Sequence, residues 1–136
     1  MIGYVTLGTN NLEKAGAFYD TLLAQFGAER AYTLERMIAW SSDPAKPMLV
    51  LTRPSDGADA APGNGGMVAL ICKDADHVRA AHRLAMHLGA KNAGLPDAHG
   101  DRFFGGYVRD PDGNKICLFT MSGDGRDPPA NEQHAP

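Results

Sequence analysis

The chain contains an internal repeat, and this repeat constrains its fold more than any other feature of the sequence. The segment GYVTL, which begins at Gly3, aligns with GMVAL, which begins at Gly66, at an offset of 63 positions. Further along, Gly27 aligns with Gly89 at an offset of 62. A repeat of this length indicates two half-domains of one design, with one residue deleted between strand and helix in the second copy.

The first copy is predicted to contain a strand, a helix and three more strands. A short run rich in β-branched and aromatic residues predicts a strand over 2–8. Apolar residues then recur every three to four positions from Leu12 to Phe26, which predicts a helix, and Gly27 is expected to end it. The three strands that follow are predicted over 29–34, 36–41 and 47–53.

The second copy repeats this order. A strand is predicted over 66–72, and a helix follows that carries Val78, Ala81 and Leu88 on one face and ends at Gly89. Asp110-Pro111-Asp112-Gly113 fits a type I turn between the last two strands. The three strands after the helix are predicted over 91–95, 102–109 and 114–121.

These elements predict one domain over residues 1–121, since 136 residues are about one domain's worth. Module one spans 2–53 and module two spans 66–121. Between them, residues 54–65 are rich in Pro, Gly, Asp and Asn, which is typical of a linker. Residues 122–136 lack apolar periodicity and are expected to form a disordered tail.

Charge and composition exclude several classes of protein. The net charge is -3 and the basic residues are scattered, so we expect no nucleic-acid partner. No stretch of about 18 apolar residues occurs, and the first residues do not resemble a signal peptide, so we expect a cytoplasmic protein without membrane contact. Cys72 and Cys117 lack CxxC spacing and are expected to be reduced thiols.

The helix segment NLEKAGAFYDTLL and the hairpin segment DPDGNKICLF, together with the repeat, resemble the glyoxalase/bleomycin resistance/extradiol dioxygenase superfamily, also called vicinal oxygen chelate. The likeness spans residues 2–121. It implies an α+β fold in which two tandem βαβββ modules form a curled mixed sheet around a central cleft. It also implies a homodimer, because binding-only relatives in that family work as dimers.

The resemblance places the family's usual metal ligands, His, His and Glu, at Tyr4, Met67 and Cys117 in this chain. A phenol, a thioether and a thiol do not suit a hard divalent cation. The fourth-strand segment over 48–51 supplies no Glu or Gln to replace them. We therefore expect no cofactor, with a divalent metal (Zn, Ni, Mn or Fe) held by other residues as the alternative.

The histidines are further candidate ligands for a metal ion. His77, His82 and His87 are five residues apart on one helix and do not converge, so solvent-facing side chains are expected. His99 is expected in the loop before the seventh strand, which the family uses as a lid. His134 lies in the predicted tail.

The residues predicted to line a ligand-binding cleft are aromatic, apolar or cationic. For Trp40 and Tyr107 the sequence does not decide between cleft and core, whereas the alignment places Tyr4 and Met67 in the cleft. Surface arginines such as Arg36 are candidates for holding a carboxylate or phosphate. The predicted cleft residues are Tyr4, Trp40, Met67, Arg102, Tyr107 and Cys117.

Cys117 has two interpretations. It fills the floor of the cleft as a small apolar side chain, or it acts as a nucleophile or redox-sensitive thiol. The second interpretation needs a nearby cation, and Lys115, Arg102 and Arg109 are candidates. Packing is the favoured interpretation, and Cys117 and Tyr4 stay the candidates for catalysis. The glycine pairs at 65–66 and 105–106 are expected to mark turns or bulges.

The sequence therefore favours a protein that binds a small apolar or aromatic molecule in its cleft without the usual metal. The alternative is a lyase, isomerase or dioxygenase of the same superfamily, which uses a metal through residues such as His99 or works through Tyr4 and Cys117. A third hypothesis is an interaction module whose cleft is filled. Whether the protein is an enzyme remains open at this point.

Overall fold

The structure, a computed structural model, describes residues 1–122. Its element order confirms two tandem βαβββ modules in an α+β fold. The tail predicted over 122–136 lies almost entirely outside the described residues. The elements are β1 (Tyr4–Gly8), α1 (Leu12–Ala24), β2 (Glu29–Thr33), β3 (Met37–Ser41), β4 (Met48–Thr52), β5 (Val68–Ile71), α2 (Ala75–His87), β6 (Lys91–His99), β7 (Phe103–Arg109) and β8 (Lys115–Met121).

The chain divides into two compact units. The first consists of Met1–Gly66 and Pro111–Asn114, and the second of Met67–Asp110 and the residues from Lys115 onward. Each unit contains one four-stranded mixed sheet, in the order β1-β4-β3-β2 or β5-β8-β7-β6. In both sheets the first strand pairs in parallel with the last strand, and the other pairs are antiparallel.

Both helices begin and end where side-chain chemistry favours it. The Asn11 side chain accepts a hydrogen bond from the Lys14 backbone N–H, and Asp74 does the same for His77, so each helix has an N-cap. Gly27 and Gly89 follow the helices with φ of 71° and 106°, a region that favours glycine. Within residues 1–122, neither helix has the length and apolar character needed to cross a membrane.

Helix α1 covers one face of the first sheet. A Cβ on Gly16 would lie 2.9 Å from Ile38 Cδ1, which shows that Ile38 faces the helix. Because directly paired residues share a face, Leu51 lies on the helix side beside Ile38, and Leu49 beside Trp40. The opposite face, here called the open face of the first sheet, carries Tyr4. The buried α1 residues are Ala15, Gly16, Phe18, Tyr19, Leu22 and Leu23.

Helix α2 covers one face of the second sheet in the same way. The Arg79 guanidinium lies 4.8 Å from the Phe104 ring centroid, and a Cβ on Gly106 would lie 3.1 Å from His82 Cδ2. Phe104 and Gly106 therefore face the helix, together with the fully buried Val108. By alternation, Phe103, Gly105, Tyr107 and Arg109 lie on the other side of β7, which is called the open face of the second sheet.

The structure corrects the predicted end of β6. This strand runs from Lys91 to His99 and thus passes through Pro96. Proline donates no ladder hydrogen bond, but β6 is an edge strand, and its register shifts twice, between Asn92 and Gly94 and between Gly94 and Asp97. These irregularities accommodate the proline, so the strand continues beyond the predicted end at residue 95. His99 consequently lies in β6 and not in a loop.

The glycine pairs differ from each other. Gly65 lies in a turn with φ of 94°, as expected. Gly105 and Gly106 lie within β7, in regular pairing with Phe119 and Leu118, so the turn or bulge expected at this pair is wrong. The bulges lie on the facing strand β6. The glycines serve close packing, because added Cβ atoms would meet neighbours at 2.7 and 3.0 Å.

Candidate functional site

The centre of the open face of the second sheet is formed by four paired residues. Tyr107 is paired with Gly94 on one side and with Cys117 on the other, and Cys117 is paired with Ala69. A Cβ on Gly94 would lie 2.8 Å from Tyr107 Cδ2. Gly94 therefore leaves the space that the Tyr107 ring needs.

Aromatic rings continue along this face from Tyr107. The Phe103 and Phe119 rings are stacked, with centroids 5.6 Å apart and an interplanar angle of 10°. The His99 ring lies 5.6 Å from the Phe103 ring and 6.3 Å from the Tyr107 ring, centroid to centroid. His99, Phe103, Tyr107 and Phe119 together are called the aromatic cluster. Phe103 is buried, and the partly exposed rings of His99, Tyr107 and Phe119 form a surface on which a flat apolar molecule can stack.

Cys117 lies in the middle of the open face but is only 2% exposed. Lys115 lies on the same face two residues earlier, as the sequence predicts, and its Nζ is 5.2 Å from the Tyr107 ring centroid. Neither cysteine forms a disulfide within residues 1–122. Burial raises the pKa of the other cysteine, Cys72, to about 11, so Cys72 stays protonated at neutral pH.

The residues at the family's metal-ligand positions do not fit a divalent cation. Tyr4 offers a phenol that is 60% exposed, Met67 a thioether that is 41% exposed, and Cys117 a thiol that is almost fully buried. Hard cations prefer carboxylate and carbonyl oxygens or imidazole. Within residues 1–122, no group of three or more His, Cys, Asp or Glu side chains could hold a metal ion.

The predicted cleft residues are distributed over several elements of the two units. Tyr107 and Cys117 share the open face of the second sheet, and the exposed Met67 comes directly before β5 at its edge. Tyr4 lies on the open face of the first sheet. Arg102 lies in the turn before β7, where its side chain is exposed.

Trp40 does not line an open face, which corrects its prediction as a cleft residue. It lies on the helix side of the first sheet and is 1% exposed. Its indole Nε1 donates a hydrogen bond to Asp20 Oδ1 at 2.9 Å, and its ring lies 5.9 Å from the Tyr19 ring. Because Asp20 and Tyr19 are on α1, Trp40 joins the helix to the sheet.

Asp20 and Arg30 complete this structural cluster, which the sequence analysis missed. Arg30 Nε and Nη2 donate to Asp20 Oδ1 and Oδ2 at 2.8 and 2.9 Å. The guanidinium also lies 5.8 Å from the Trp40 ring centroid. The hydrogen bonds from Arg30, and also the one from Trp40, lower the pKa of Asp20. Asp20 is one helical turn after Gly16 and therefore lies on the same side of α1. This spacing is the signal in the sequence that places Asp20 near the first sheet.

We predict that this cluster makes stability depend on acid pH. Because the pKa of Asp20 is lower in the folded state, its contribution to the free energy of unfolding is complete above the unfolded pKa of about 3.9. This contribution is lost as the pH falls through the folded pKa. Asp20→Asn should lower the free energy of unfolding by about 1 kcal/mol at pH 7, since the pair is partly exposed. The difference in free energy of unfolding between the wild type and Asp20→Asn, measured with urea, should become smaller from pH 7 to pH 3. A constant difference would contradict the prediction.

The structure also corrects the prediction that His82 faces solvent. It is 5% exposed and not solvent-facing. Its Nε2 lies 3.1 Å from Asn92 Oδ1, which also accepts the Gly94 backbone N–H, so the tautomer protonated at Nε2 fits. His82 therefore anchors α2 to β6. His77 is half-buried and its Nδ1 accepts the Lys73 N–H, whereas His87 is exposed as predicted.

Arg36 lines a groove of about 770 Å³ on the first unit. The groove runs between the β2–β3 turn and the residues that follow β4. Arg53 holds one wall in place, because its Nη2 donates to the Glu35 carbonyl oxygen at 2.8 Å. Its lining also includes Thr9, Asn10, Met37, Ser55 and Asp59.

Comparison with known proteins places the chain in a family. The family model for the "Glyoxalase/Bleomycin resistance protein/Dioxygenase superfamily" matches residues 1–118. No curated protein matches the chain. Among solved structures, a glyoxalase/bleomycin resistance protein from Albidiferax ferrireducens is 30% identical, with a TM-score of 0.81, and the match covers 89% of this chain and 98% of that one.

More distant structures share the fold. A glyoxalase-related enzyme from Fulvimarina pelagi is 22% identical, with a TM-score of 0.70 and coverage of 88% and 87% of the two chains. A structure described as lactoylglutathione lyase from Agrobacterium tumefaciens is also 22% identical, with a TM-score of 0.61 and coverage of 88% and 92%. Sequence and fold agree, and the chain belongs to the glyoxalase/bleomycin resistance protein/dioxygenase superfamily.

Proposed function

We propose that the protein binds a small, flat, apolar or aromatic molecule on the open face of the second sheet, without a metal ion. The observation that carries this proposal is the aromatic cluster, in which four rings lie side by side on one face. Tyr107 is half-buried and borders the small residues Gly94 and Cys117, so a ring can lie beside it. Membership of the superfamily supports a ligand-binding role.

The energetic basis is stacking and desolvation. An aromatic pair contributes about 0.5–1.5 kcal/mol beyond the area that it buries. The exposed Met67 and Ile71, at 41% and 69%, provide further apolar surface on or beside β5. These contributions suit a neutral ring system, and none of them requires a cofactor.

Two further parts of the proposal concern the oligomeric state of the protein and its location in the cell. We propose a homodimer, as in binding-only relatives, and the 60% exposed Tyr4 and 69% exposed Ile71 are apolar surface that a partner copy would cover. Sedimentation velocity tests this, and a monomer at all concentrations would contradict it. A cytoplasmic location stays a prediction from the sequence.

The binding proposal is tested with N-phenyl-1-naphthylamine, a neutral dye whose fluorescence rises when it leaves water. The dye should bind the wild type, and Tyr107→Ala should weaken binding about tenfold, because one stacking surface is lost. Tyr107→Phe keeps the ring and should retain affinity. Tyr32→Ala, which removes a 38% exposed tyrosine from the first unit, is the matched control.

Three outcomes decide between the hypotheses. Dye binding that Tyr107→Ala weakens about tenfold supports the proposal, whereas absent binding by the wild type, or equal binding by Tyr107→Ala, contradicts it. Elemental analysis of protein purified without chelators is the second measurement. A metal ratio near one per chain would contradict the metal-free site and favour a lyase, isomerase or dioxygenase.

A further inference from the structure

A row of three cations crosses the second sheet beside the aromatic cluster. Lys91 on β6 is paired directly with Arg109 on β7, and Arg109 is paired directly with Lys115 on β8. Directly paired residues point to the same side of a sheet. Arg109 lies on the open face, so all three side chains project from that face. Lys91, Arg109 and Lys115 are called the cation row.

This arrangement concentrates positive charge on one face of the sheet. Paired residues on neighbouring strands have Cβ atoms about 5 Å apart, and like charges placed directly opposite each other destabilise a sheet. Arg109 and Lys115 are also partly buried, which reduces the screening of their charges by water. A carboxylate or sulfonate can therefore contact more than one of these cations at the same time.

The cation row is next to the ring that the proposed function uses. Tyr107 is two residues from Arg109 on β7, which is about 7 Å along the strand. The Lys115 ammonium lies 5.2 Å from the Tyr107 ring centroid, so the charge reaches over the ring. A molecule stacked beside Tyr107 therefore has its edge within reach of the cations.

An acidic side chain on the same face is farther away. Asp97 is paired with Gly105, four residues from Arg109 along β7, which corresponds to about 13 Å. Its Oδ1 accepts the Ala98 backbone N–H at 2.8 Å. Asp97 therefore lies away from the cation row on this face.

We propose that the ligand is a flat aromatic anion whose ring stacks beside Tyr107 and whose carboxylate or sulfonate lies on the cation row. This inference rests on the proposed function, because it assigns a charge and an orientation to the molecule at the same face. Arg109 and Lys115 are specificity-determining residues in this arrangement, since they select anionic over neutral rings.

The test compares two dyes that differ by one sulfonate group, N-phenyl-1-naphthylamine and 8-anilino-1-naphthalenesulfonate. At low salt the sulfonate should bind the wild type at least about fivefold more tightly, and added salt should reduce this preference. The double variant Arg109→Gln/Lys115→Gln should lose about tenfold in affinity for the sulfonate. Its affinity for the neutral dye should change less than about twofold.

Two controls separate a local effect from net charge and from misfolding. Lys46→Gln/Lys73→Gln removes two exposed lysines from other parts of the chain and should bind both dyes like the wild type. Arg109→Lys/Lys115→Arg keeps both charges and should restore the preference for the sulfonate. The neutral dye reports whether the double variant is folded and still binds.

The outcomes distinguish the two proposals. If the neutral dye binds and the sulfonate binds no better, or if the double variant loses both dyes equally, the anion inference is overturned while ring binding stands. If neither dye binds the wild type, the proposed function fails and the inference fails with it. A preference that disappears in Arg109→Gln/Lys115→Gln and persists in Lys46→Gln/Lys73→Gln supports the inference.

Discussion

Trp40→Ala is expected to lower the free energy of unfolding by about 3–5 kcal/mol, which is the usual cost of removing a large buried aromatic side chain. Trp40 is 1% exposed and contacts both Tyr19 and the Arg30 guanidinium. Its loss leaves a cavity between α1 and the sheet, and Asp20 loses one hydrogen-bond donor. A large share of the stability of a domain of this size would be lost.

Thermal and urea unfolding measure this effect. The midpoint temperature should fall by roughly 10–20 °C. Tyr32→Ala, which removes a 38% exposed aromatic side chain from the same unit, is the control and should change the midpoint less. Equal effects of the two substitutions would contradict the assignment of Trp40 to the core.

Gly106→Ala is expected to lower the free energy of unfolding by about 2–3 kcal/mol, although it adds a single methyl group. The new Cβ would lie 3.0 Å from Pro96 Cγ, 3.1 Å from His82 Cδ2 and 3.2 Å from the Pro96 backbone nitrogen. The backbone of β6 and the anchored His82 ring limit how far these neighbours can move. Overpacking of this kind typically costs about 1–3 kcal/mol.

Gly66→Ala is the matched control, because its added Cβ would meet its nearest neighbour at 3.9 Å. Urea unfolding of both variants gives the comparison. A Gly106→Ala protein as stable as Gly66→Ala would show that α2 and β6 can separate without cost, contrary to the packing described above. The His82 ring signals in an NMR spectrum should also shift in Gly106→Ala.

The order of elements was predictable because the signals are local and occur twice. The periodicity of each helix, the glycine after it and the turn at 110–113 act within a few residues of sequence. Most predicted strand ends differ from those in the structure by one or two residues, because pairing with the neighbouring strand decides where a strand ends. The larger error is at β6, which was predicted to end at residue 95 but continues through Pro96, because an edge strand with bulges tolerates a proline.

The orientation of side chains was harder to predict. In β3 the residues from Met37 to Trp40 are all apolar, so alternation does not show which of them face the helix. His82 could have been assigned to the core, because it is four residues after Val78 and three before Ala85, both of which are buried. The five-residue spacing among the helix histidines does not reveal this pattern.

The candidate site was predictable in part. The resemblance pointed to Cys117, whereas the sequence did not decide whether Tyr107 lies in the cleft or in the core. The aromatic cluster and the cation row depend on the register between β6 and β7, which two shifts make invisible in the sequence. Arg109 and Lys115 lie on either side of the predicted turn, but Lys91 is 18 residues before Arg109, and its pairing required the structure.

The irregular edge strand β6 also bears on solubility. A regular edge strand offers a continuous row of free N–H and C=O groups, onto which a strand of another molecule can add, and such addition leads to aggregation. In β6 the proline and the two register shifts interrupt this row. Growth of the second sheet from one molecule into the next is therefore blocked at this edge, so copies of the chain can associate through side-chain surfaces without forming fibrils there.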